Sequence, residues 1–253
     1  MSKNNNEKLR SLVISGKDTD GKEYKSAQDM WKAELGASED LYDPDKGWYG
    51  KSLAYWEKVP ATIGGVLGGM DHVHDADIRE SKAFIEAVPG GVGRIRALDC
   101  GAGIGRISKH LLTPMFDRTD LLEPMAHMLE QAQKELPEDR VGELILDSME
   151  KAVLPHQYDV IVIQWVAIYL TDEHFAAFLA KCKAALRPNG FIFFKENTNT
   201  RMNFLVDKDD SSLTRSDVHY KQIFAAAGVE LVVQTQQKEW PDDLFPVIMY
   251  ALR

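Results

Sequence analysis

The sequence has little cysteine and no long apolar run. Its two cysteines among 253 residues, Cys100 and Cys182, lack metal-ligand spacing, so they predict neither a disulfide framework nor a metal site. No stretch approaches the roughly 18 consecutive apolar residues of a membrane-spanning helix. The polar start MSKNNNEKLR also lacks the apolar centre of a secretory signal. We therefore expect buried, reduced thiols, no membrane partner, and a location in the cytoplasm or the nucleus.

Positive charge is also scarce. Lys and Arg together number 30 against 39 Asp and Glu, which gives a formal net charge of -9. A general nucleic-acid binder needs a basic stripe to neutralise phosphates, so no nucleic-acid partner is expected. The acidic balance is compatible with a cationic peptide as partner. Nothing in the sequence indicates an obligate oligomer, and we expect a monomer.

Composition divides the chain into three parts. Residues 1–25 are polar and charged, which predicts a disordered tail. Residues 26–93 contain three of the five tryptophans and are predicted to form an N-terminal helical cap or lid. Its helices are expected over 26–35, 51–58 and 77–88.

From residue 94 to residue 253 strand patterns alternate with helix patterns. The predicted strands are 94–100, 118–122, 143–147, 158–164, 191–196, 230–234 and 246–252. The predicted helices are 105–112, 124–135, 171–186 and 215–227, and R-P-N-G at 187–190 is a helix stop. This alternation predicts an α/β fold with a doubly wound, seven-stranded, mostly parallel sheet. The last two strands lack an intervening helix and should pair antiparallel at one edge.

A glycine turn follows the first of these strands. Residues 98–106 read L-D-C-G-A-G-I-G-R, a G-x-G-x-G spacing that differs from the G-x-G-x-x-G of dinucleotide-binding folds. In doubly wound sheets, ligands bind beyond the carboxyl ends of the strands. Glu123 lies eighteen residues after Gly105 at the next strand end, where a carboxylate can accept both ribose hydroxyls of an adenosine. Asp99 can hold the amides of the turn or face a cationic ligand, and D-S-M-E at 147–150 can contact adenine.

These features resemble the S-adenosylmethionine-dependent methyltransferase fold, and further motifs resemble one family of it. The motifs are Y-W-E-K-V-P-A-T, V-L-G-G-M-D-H-V, I-Q-W-V, L-T-D-E-H, K-C-K-A-A-L-R-P-N-G, K-E-N, D-D-S-S, R-S-D-V and the ending Y-A-L-R. They are similar to those of the eukaryotic protein α-N-terminal methyltransferases. The resemblance runs from about residue 48 to residue 253, and residues 1–45 look like an extension.

The resemblance implies that S-adenosyl-L-methionine is the cofactor and S-adenosyl-L-homocysteine the product. It implies methyl transfer to the free α-amine of protein N-termini of X-Pro-Lys type. Arg106 would pair with the methionine carboxylate of the cofactor, and Trp56 would close over it. The implied cofactor-binding residues are Trp56, Gly101, Gly103, Arg106, Glu123, Pro124, Met125, Met149, Glu150 and Gln164.

On the acceptor side, the resemblance implies that Asp210 orients the amine and accepts its proton. Asn197 would anchor the substrate backbone, and Tyr169 can hydrogen-bond the amine or shape the pocket. This Tyr169 is a departure, because the family commonly has a histidine four residues after the Q-W tryptophan. The implied substrate-binding residues are Leu67, Gly68, Val73, Trp165, Asp207 and Ser212.

Three other functions remain open from the sequence. A small-molecule amine methyltransferase on the same fold could use the acidic loop for an amine metabolite. A non-catalytic cofactor-binding homologue would account for Tyr169 as a mark of lost activity. A dinucleotide-dependent oxidoreductase is disfavoured by the glycine spacing.

Overall fold

A seven-stranded sheet forms the centre of the protein. The structure, a computed structural model, describes residue 9 and residues 13–253. The strand order is β10-β11-β7-β6-β3-β4-β5, and the pairs β6–β7, β3–β6, β3–β4 and β4–β5 are parallel. The chain order reverses between β3 and β6, so the carboxyl ends of these two strands are where a doubly wound sheet binds its ligand.

The strands of this sheet lie close to their predicted bounds. They are β3 Arg96–Cys100, β4 Arg118–Leu122, β5 Val141–Ile145, β6 Tyr158–Gln164, β7 Leu186–Asn197, β10 Leu231–Gln236 and β11 Val247–Leu252. The last two strands pair antiparallel, which confirms that prediction. R-P-N-G at 187–190 does follow a helix, but it lies within β7 instead of forming a separate loop.

Helices cover both faces of the sheet. They are α1 Ala27–Leu35, α2 Trp48–Trp56, α3 Ile63–Val66, α4 His74–Ala87, α5 over 106–115, α6 Ala126–Glu135, α7 Asp172–Ala184 and α8 Asp217–Ala227. Alternate residues of β6 pack on opposite faces, as strand geometry requires. Ile161 and Ile163 belong to the core formed with α7 and α8, whereas Val160 and Val162 pack with α4 and α5. Within the described ranges, no helix is long and apolar enough to cross a bilayer.

The prediction of a disordered tail over 1–25 is wrong for residues 13–25. Strands β1 Gly16–Asp18 and β2 Glu23–Tyr24 join β8 Phe204–Asp207 and β9 Ser212–Thr214 in a second sheet of order β2-β1-β8-β9. Gly16 lies so close to the Phe204 ring that a Cβ there would meet it at 2.3 Å, so the pairing needs glycine. The polar composition misled the prediction because the stabilising partner is distant in sequence. Residues 1–8 and 10–12 of the predicted tail lie outside the described residues.

The predicted helical cap over 26–93 contains α1 to α4 and contacts the core at several points. The indole Nε1 of Trp48 donates to the backbone oxygen of Tyr169 at 2.7 Å. The hydroxyl of Tyr49 lies 2.6 Å from Nδ1 of His174 on α7. These contacts fix α2 beside the carboxyl end of β6. A lid movement of this cap remains a prediction.

Candidate active site

The glycine turn leaves β3 with a left-handed backbone at alternate positions. Gly101, Gly103 and Gly105 have φ of 67°, 54° and 72°, a region that only glycine adopts readily. The backbone N–H of Gly101 donates to Leu122 O at 2.8 Å, which ties the turn to the end of β4. Asp99 accepts hydrogen bonds from the backbone N–H (3.1 Å) and the hydroxyl (2.7 Å) of Ser108. Its burial raises its pKa to about 6. Asp99 therefore fixes the start of α5 against β3.

A cavity opens at this turn and encloses about 1110 Å³ of space, including its mouth. All ten predicted cofactor-binding residues line it, together with Trp165 and Tyr169 from the acceptor prediction. Ligand sites in proteins are typically concave and lined mostly by apolar side chains with a few polar groups. The positions that the family resemblance implied for the cofactor thus lie together on one cavity, and their roles stay a prediction. Within the described residues, no cluster of metal-ligating side chains accompanies it.

Glu123 lies at the carboxyl end of β4 with its side chain almost fully buried. Its Oε2 accepts from the backbone N–H of Gly103 at 2.8 Å, and its Oε1 accepts from that of Met125 at 2.9 Å. Burial raises its pKa to about 7, although these two hydrogen bonds oppose the shift. A carboxylate oxygen accepts more than one hydrogen bond, so both oxygens keep capacity for ribose hydroxyls. The position suits the predicted role.

A buried charge cluster that sequence reasoning missed lies beside the cavity, which two of its members, Arg106 and Gln164, line. Asp77 of α4 accepts from Nη1 of Arg106 at 2.7 Å and from Nε2 of Gln164 at 2.9 Å, and it also binds the ammonium of Lys195. Nζ of Lys195 lies 2.9 Å from Ser81 Oγ. Two features of the sequence could have indicated this cluster. Lys195 ends the apolar run F-I-F-F-K, and Asp77 lies on the inner face of a helix. Asp77 thus joins the cap to Arg106, which follows β3, and to Gln164, which ends β6. These are the two strands between which the chain order reverses.

Arg106 was predicted to bind the methionine carboxylate of the cofactor. Its hydrogen bonds within the described chain use Nη1, toward Asp77 and toward Nδ1 of His74 at 3.2 Å. The other donors of its guanidinium fork remain for a ligand, and the fork matches a carboxylate well. Because Arg106 also lines the cavity, Asp77 holds it in place for that role.

The part of the cavity where adenine is predicted to bind is lined by 147–150 and by an unexpected residue of the N-terminal segment, Tyr42. Glu150 accepts hydrogen bonds from the hydroxyls of Ser148 and Tyr42. The sequence did not single out Tyr42. The ammonium of Lys151 lies over its ring, with Nζ 3.3 Å from the centroid of the Tyr42 ring. Burial and the Glu150 carboxylate raise the pKa of Tyr42.

Tyr169 and Asp210 meet at the acceptor side. The Tyr169 hydroxyl donates to Oδ2 of Asp210 at 3.1 Å, and Oδ1 of Asp210 accepts from the backbone N–H of Ser212 at 3.0 Å. Burial raises the pKa of Asp210, while the hydrogen bonds from Ser212 and Tyr169 oppose that shift. Burial, reinforced by Asp210, raises the pKa of Tyr169 well above its usual value. Trp56 packs edge-on against the Tyr169 ring with centroids 6.0 Å apart.

Trp165 directly follows β6 and has a φ of 53°, which is unusual for a bulky residue. Its backbone N–H donates to the oxygen of Lys195 at 3.1 Å. The ring lies 5.4 Å from Cζ of Arg106 and packs against Trp240 with centroids 5.6 Å apart. This backbone turns the indole into the cavity, at the junction of its cofactor and acceptor sides.

Asp210 and the other predicted acceptor residues lie outside the cavity lining, which includes only Trp165 and Tyr169 of that set. Asn197 ends β7, and its Oδ1 is buried without a hydrogen-bond partner in the described chain. Its neighbour Glu196 is fully buried, and this burial raises the pKa of Glu196 to about 8. The remaining members are Leu67 and Gly68, which follow cavity-lining Val66, Val73 just before α4, Asp207 at the end of β8 and Ser212 at the start of β9.

S-adenosylmethionine fits the residues of this cavity. Oε1 of Gln164 is buried and lacks a hydrogen-bond partner within the described ranges, although the side chain lines the cavity. A Cβ added at Gly103 would lie 3.4 Å from Cγ1 of Val66 in the cap. The space between the glycine turn and the cap at this point is therefore narrow. An unpartnered amide oxygen, a guanidinium fork, and a carboxylate at the ribose position match the polar groups of this cofactor.

The fold and this donor set define an S-adenosylmethionine-dependent methyltransferase. Residues 44–253 match the family described as AdoMet-dependent proline di-methyltransferase. The chain belongs to that family.

Relatives agree with this assignment. A SAM-dependent methyltransferase of Leishmania major has a solved structure that is 62% identical, with a TM-score of 0.92, covering 96% of this chain and 98% of that one. Alpha N-terminal protein methyltransferase 1 of Arabidopsis thaliana is 40% identical, covering 95% of this chain and 91% of its own. The human N-terminal Xaa-Pro-Lys N-methyltransferase 1 is 38% identical and matches 85% of this chain with 99% of its own length.

Proposed function

We propose that this methyltransferase transfers methyl groups to the free α-amine of protein N-termini of X-Pro-Lys type. The names of its Arabidopsis and human relatives describe that activity for those proteins. The observation that carries the proposal is the contact between Asp210 and Tyr169, because it joins a carboxylate from the acidic 207–212 segment to a residue that lines the cofactor cavity.

The cofactor supplies an electrophilic methyl group on a sulfonium when it is bound. The attacking amine must be neutral to use its lone pair. An α-amine has a pKa of about 7.7–8.0, so a useful fraction is neutral near pH 7, whereas a lysine amine near 10.4 is almost fully protonated. The protein must therefore position the amine and take up one proton, and little further activation is needed.

Asp210 accepts that proton from the α-amine, directly or through water. Its raised pKa lies closer to that of an α-amine than the pKa of an exposed aspartate does, which favours proton transfer. Tyr169 keeps its own proton at neutral pH because its pKa is raised, and it donates a hydrogen bond to Asp210. The site thus works with one base, and Tyr169 orients it.

Three further residues hold the peptide in this proposal. The unpartnered Oδ1 of Asn197 accepts a hydrogen bond from the substrate backbone. Asp207 pairs with the lysine at the third position. Trp165 offers a ring face to the cationic or methylated amine, an interaction that aromatic rings favour.

Peptide methylation tests the proposal directly. The protein is incubated with methyl-labelled cofactor and with peptides beginning Ser-Pro-Lys, Pro-Pro-Lys and N-acetyl-Ser-Pro-Lys. We expect label on the two peptides with free amines and none on the acetylated one. Turnover of small amines alone would support the metabolite methyltransferase instead. Cofactor binding without turnover of any acceptor would indicate the non-catalytic homologue.

We also propose that the protein acts as a monomer in the cytoplasm or the nucleus, without nucleic acid. The net charge of -9 opposes nucleic-acid binding, and both cysteines are free and buried, as suits a reducing compartment. Sedimentation equilibrium and imaging of the tagged protein test the two parts. A dimer at working concentration or a secretory location would reject them.

A further inference from the structure

The N-terminal segment over 13–43 lies outside the matched family region of 44–253, yet it contacts the acceptor side. Strand β1 pairs in parallel with β8, so Asp18 lies opposite Val206. The backbone N–H of Thr19 donates to the oxygen of Val206 at 3.0 Å, and Oγ1 of Thr19 accepts from the backbone N–H of Lys208 at 3.1 Å. The segment therefore holds the chain where it leaves β8 and enters the loop of Asp210.

Lys208 is the one cation in the D-K-D-D stretch of this loop, residues 207–210. Its ammonium lies 2.7 Å from Oε1 and 2.6 Å from Oε2 of Glu34 on α1. Glu34 is only 7% exposed. Within the described ranges, Lys208 forms no ion pair with a carboxylate of its own loop. The ammonium is thus directed toward the N-terminal segment, although carboxylates flank it in the chain.

Tyr24 binds Glu34 directly, and Asp18 and Lys22 support that contact. The hydroxyl of Tyr24 lies 3.0 Å from Oε1 of Glu34 and 2.9 Å from Oδ2 of Asp18. The backbone N–H of Lys22 donates to Oδ1 of Asp18 at 2.8 Å. These contacts join β1, β2 and α1 into a single support for Glu34. Because Tyr24 already holds the buried Glu34 carboxylate in place, that carboxylate loses little conformational entropy when it pairs with Lys208.

A free ammonium at position 208 would oppose the proposed reaction in two ways. A lysine side chain is long and flexible, so Lys208 could reach Asp207 or Asp210. It would then compete with a cationic substrate for these carboxylates. It would also repel the positive charge of the substrate. Repulsion between like charges a few Å apart lowers binding affinity measurably, even near a protein surface.

We propose that Glu34 is a positioning residue for the acceptor site: it binds the Lys208 ammonium and keeps Asp207 and Asp210 available to a cationic peptide. This inference rests on the proposed function for its substrate and on the geometry for its charge pair. It gives the N-terminal segment a role in acceptor specificity and leaves the cofactor side unaffected.

The test uses the full chain with four variants: Glu34→Gln, Lys208→Met, the double variant, and Glu39→Gln as an exposed control in the same segment. KM is measured for Ser-Pro-Lys and Ser-Pro-Gln peptides, and the cofactor Kd is measured in parallel. For Glu34→Gln we expect a KM for the lysine peptide about three- to tenfold higher, with a smaller change for the glutamine peptide. The cofactor Kd stays unchanged.

The double variant separates charge control from structural support. Replacing Lys208 by Met removes the ammonium, so the double variant should return the KM to within about twofold of the original. Lys208→Met alone and Glu39→Gln should also stay within about twofold. A double variant as impaired as Glu34→Gln would overturn the proposal, because it would show that the pair acts only as a brace. An unchanged KM in Glu34→Gln would overturn it too.

A second measurement does not depend on any substrate. Carboxyl ¹³C NMR follows the titration of Asp207 and Asp210 in each variant. In Glu34→Gln the freed ammonium should lower the pKa of at least one of them, and the double variant should restore it. Unchanged titration would overturn the inference even if peptides are methylated. Failure of all X-Pro-Lys peptides in the original protein would reject the proposed function and leave this result to decide the charge pair.

Discussion

The cofactor side and the acceptor side of the cavity are built differently. The cofactor side takes its residues from the ends of adjacent parallel strands and from the turns that follow them, as at Gly101, Glu123 and Gln164. The acceptor side combines a distorted backbone at Trp165 with Asp210, which comes from a loop of the second sheet. Local chain geometry therefore specifies the first, whereas contacts between distant segments specify the second.

The difference extends to how each side is supported. Backbone amides of the glycine turn and of Met125 hold Glu123, so its position follows from the turn itself. Asp210 depends on Tyr169 and on a loop that the N-terminal segment contacts through Thr19 and Glu34. Substitutions should consequently separate the two sides, with cofactor affinity following one and turnover the other.

Asp210→Asn should produce the largest effect, and on the acceptor side alone. The amide cannot accept the proton of the amine, and general bases contribute about 10²- to 10⁴-fold, so kcat should fall by that factor. Calorimetry should show an unchanged cofactor Kd. Asp209→Asn removes a neighbouring exposed charge and should keep kcat within about twofold. Equal activity of the two variants would remove Asp210 from its role as base.

Asp77→Asn should affect both sides, because Asp77 joins Arg106, Gln164 and Lys195 at their junction. Removing one partner of a buried ion pair leaves uncompensated charge and destabilises by about 3–5 kcal/mol. Denaturant unfolding measures that loss, with exposed Asp75→Asn as the control on the same helix.

The Asp77 variant also has a pH signature. Burial lowers the pKa of Lys195 and Asp77 opposes that shift, so the pKa falls further without Asp77. When the pKa of a lysine is lower in the folded than in the unfolded protein, protonation at low pH destabilises the folded state. This loss of stability shrinks as the pH rises and the lysine of the folded protein loses its proton. The deficit should therefore shrink between neutral and alkaline pH. A deficit that is constant across this range would mean that Lys195 carries no charge beside Asp77.

The two sides also differed in how well the sequence predicted them. Glycine spacing and the distance to Glu123 reflect local geometry, and the family resemblance supplied the other cofactor positions, so all ten lie on one cavity. The strands of the large sheet were predicted within a few residues because each is a separate apolar run. β1 was missed because its three residues are stabilised by β8, nearly two hundred positions away. The pairing of Asp77 with Lys195 was missed for the same reason, since no local pattern links the two.

Glu123→Ala should weaken the cofactor side without altering the base. Hydrogen bonds to a charged group contribute about 1.5–3 kcal/mol, so the cofactor Kd should rise about 10- to 100-fold. The exposed Glu130→Gln should leave the Kd unchanged. A similar Kd in the Ala variant would refute the ribose role.

The pKa of Glu123 makes the same contact sensitive to pH. With a pKa of about 7, the side chain is neutral below pH 7 and then accepts hydrogen bonds less strongly. Ribose hydroxyls favour the ionised form, so affinity should rise as pH increases toward 7 and level off above it. Calorimetric titration of the cofactor at several pH values over pH 5.5–8.5 measures this change in Kd. Glu123→Gln should abolish the slope, and a slope that persists there would assign it to another group.

Tyr169→Phe should have the smallest effect and should test how the acceptor side is tuned. The variant loses one hydrogen bond to Asp210, which typically contributes about 0.5–1.5 kcal/mol, so kcat should fall only about two- to tenfold. That hydrogen bond opposes the rise of the Asp210 pKa, so its loss should raise this pKa further. The acid limb of the kcat/KM profile should therefore move to higher pH. An unchanged acid limb, or a loss of kcat as large as that of Asp210→Asn, would contradict this expectation. It would mean that Tyr169 acts on the amine directly, as a second group that transfers protons.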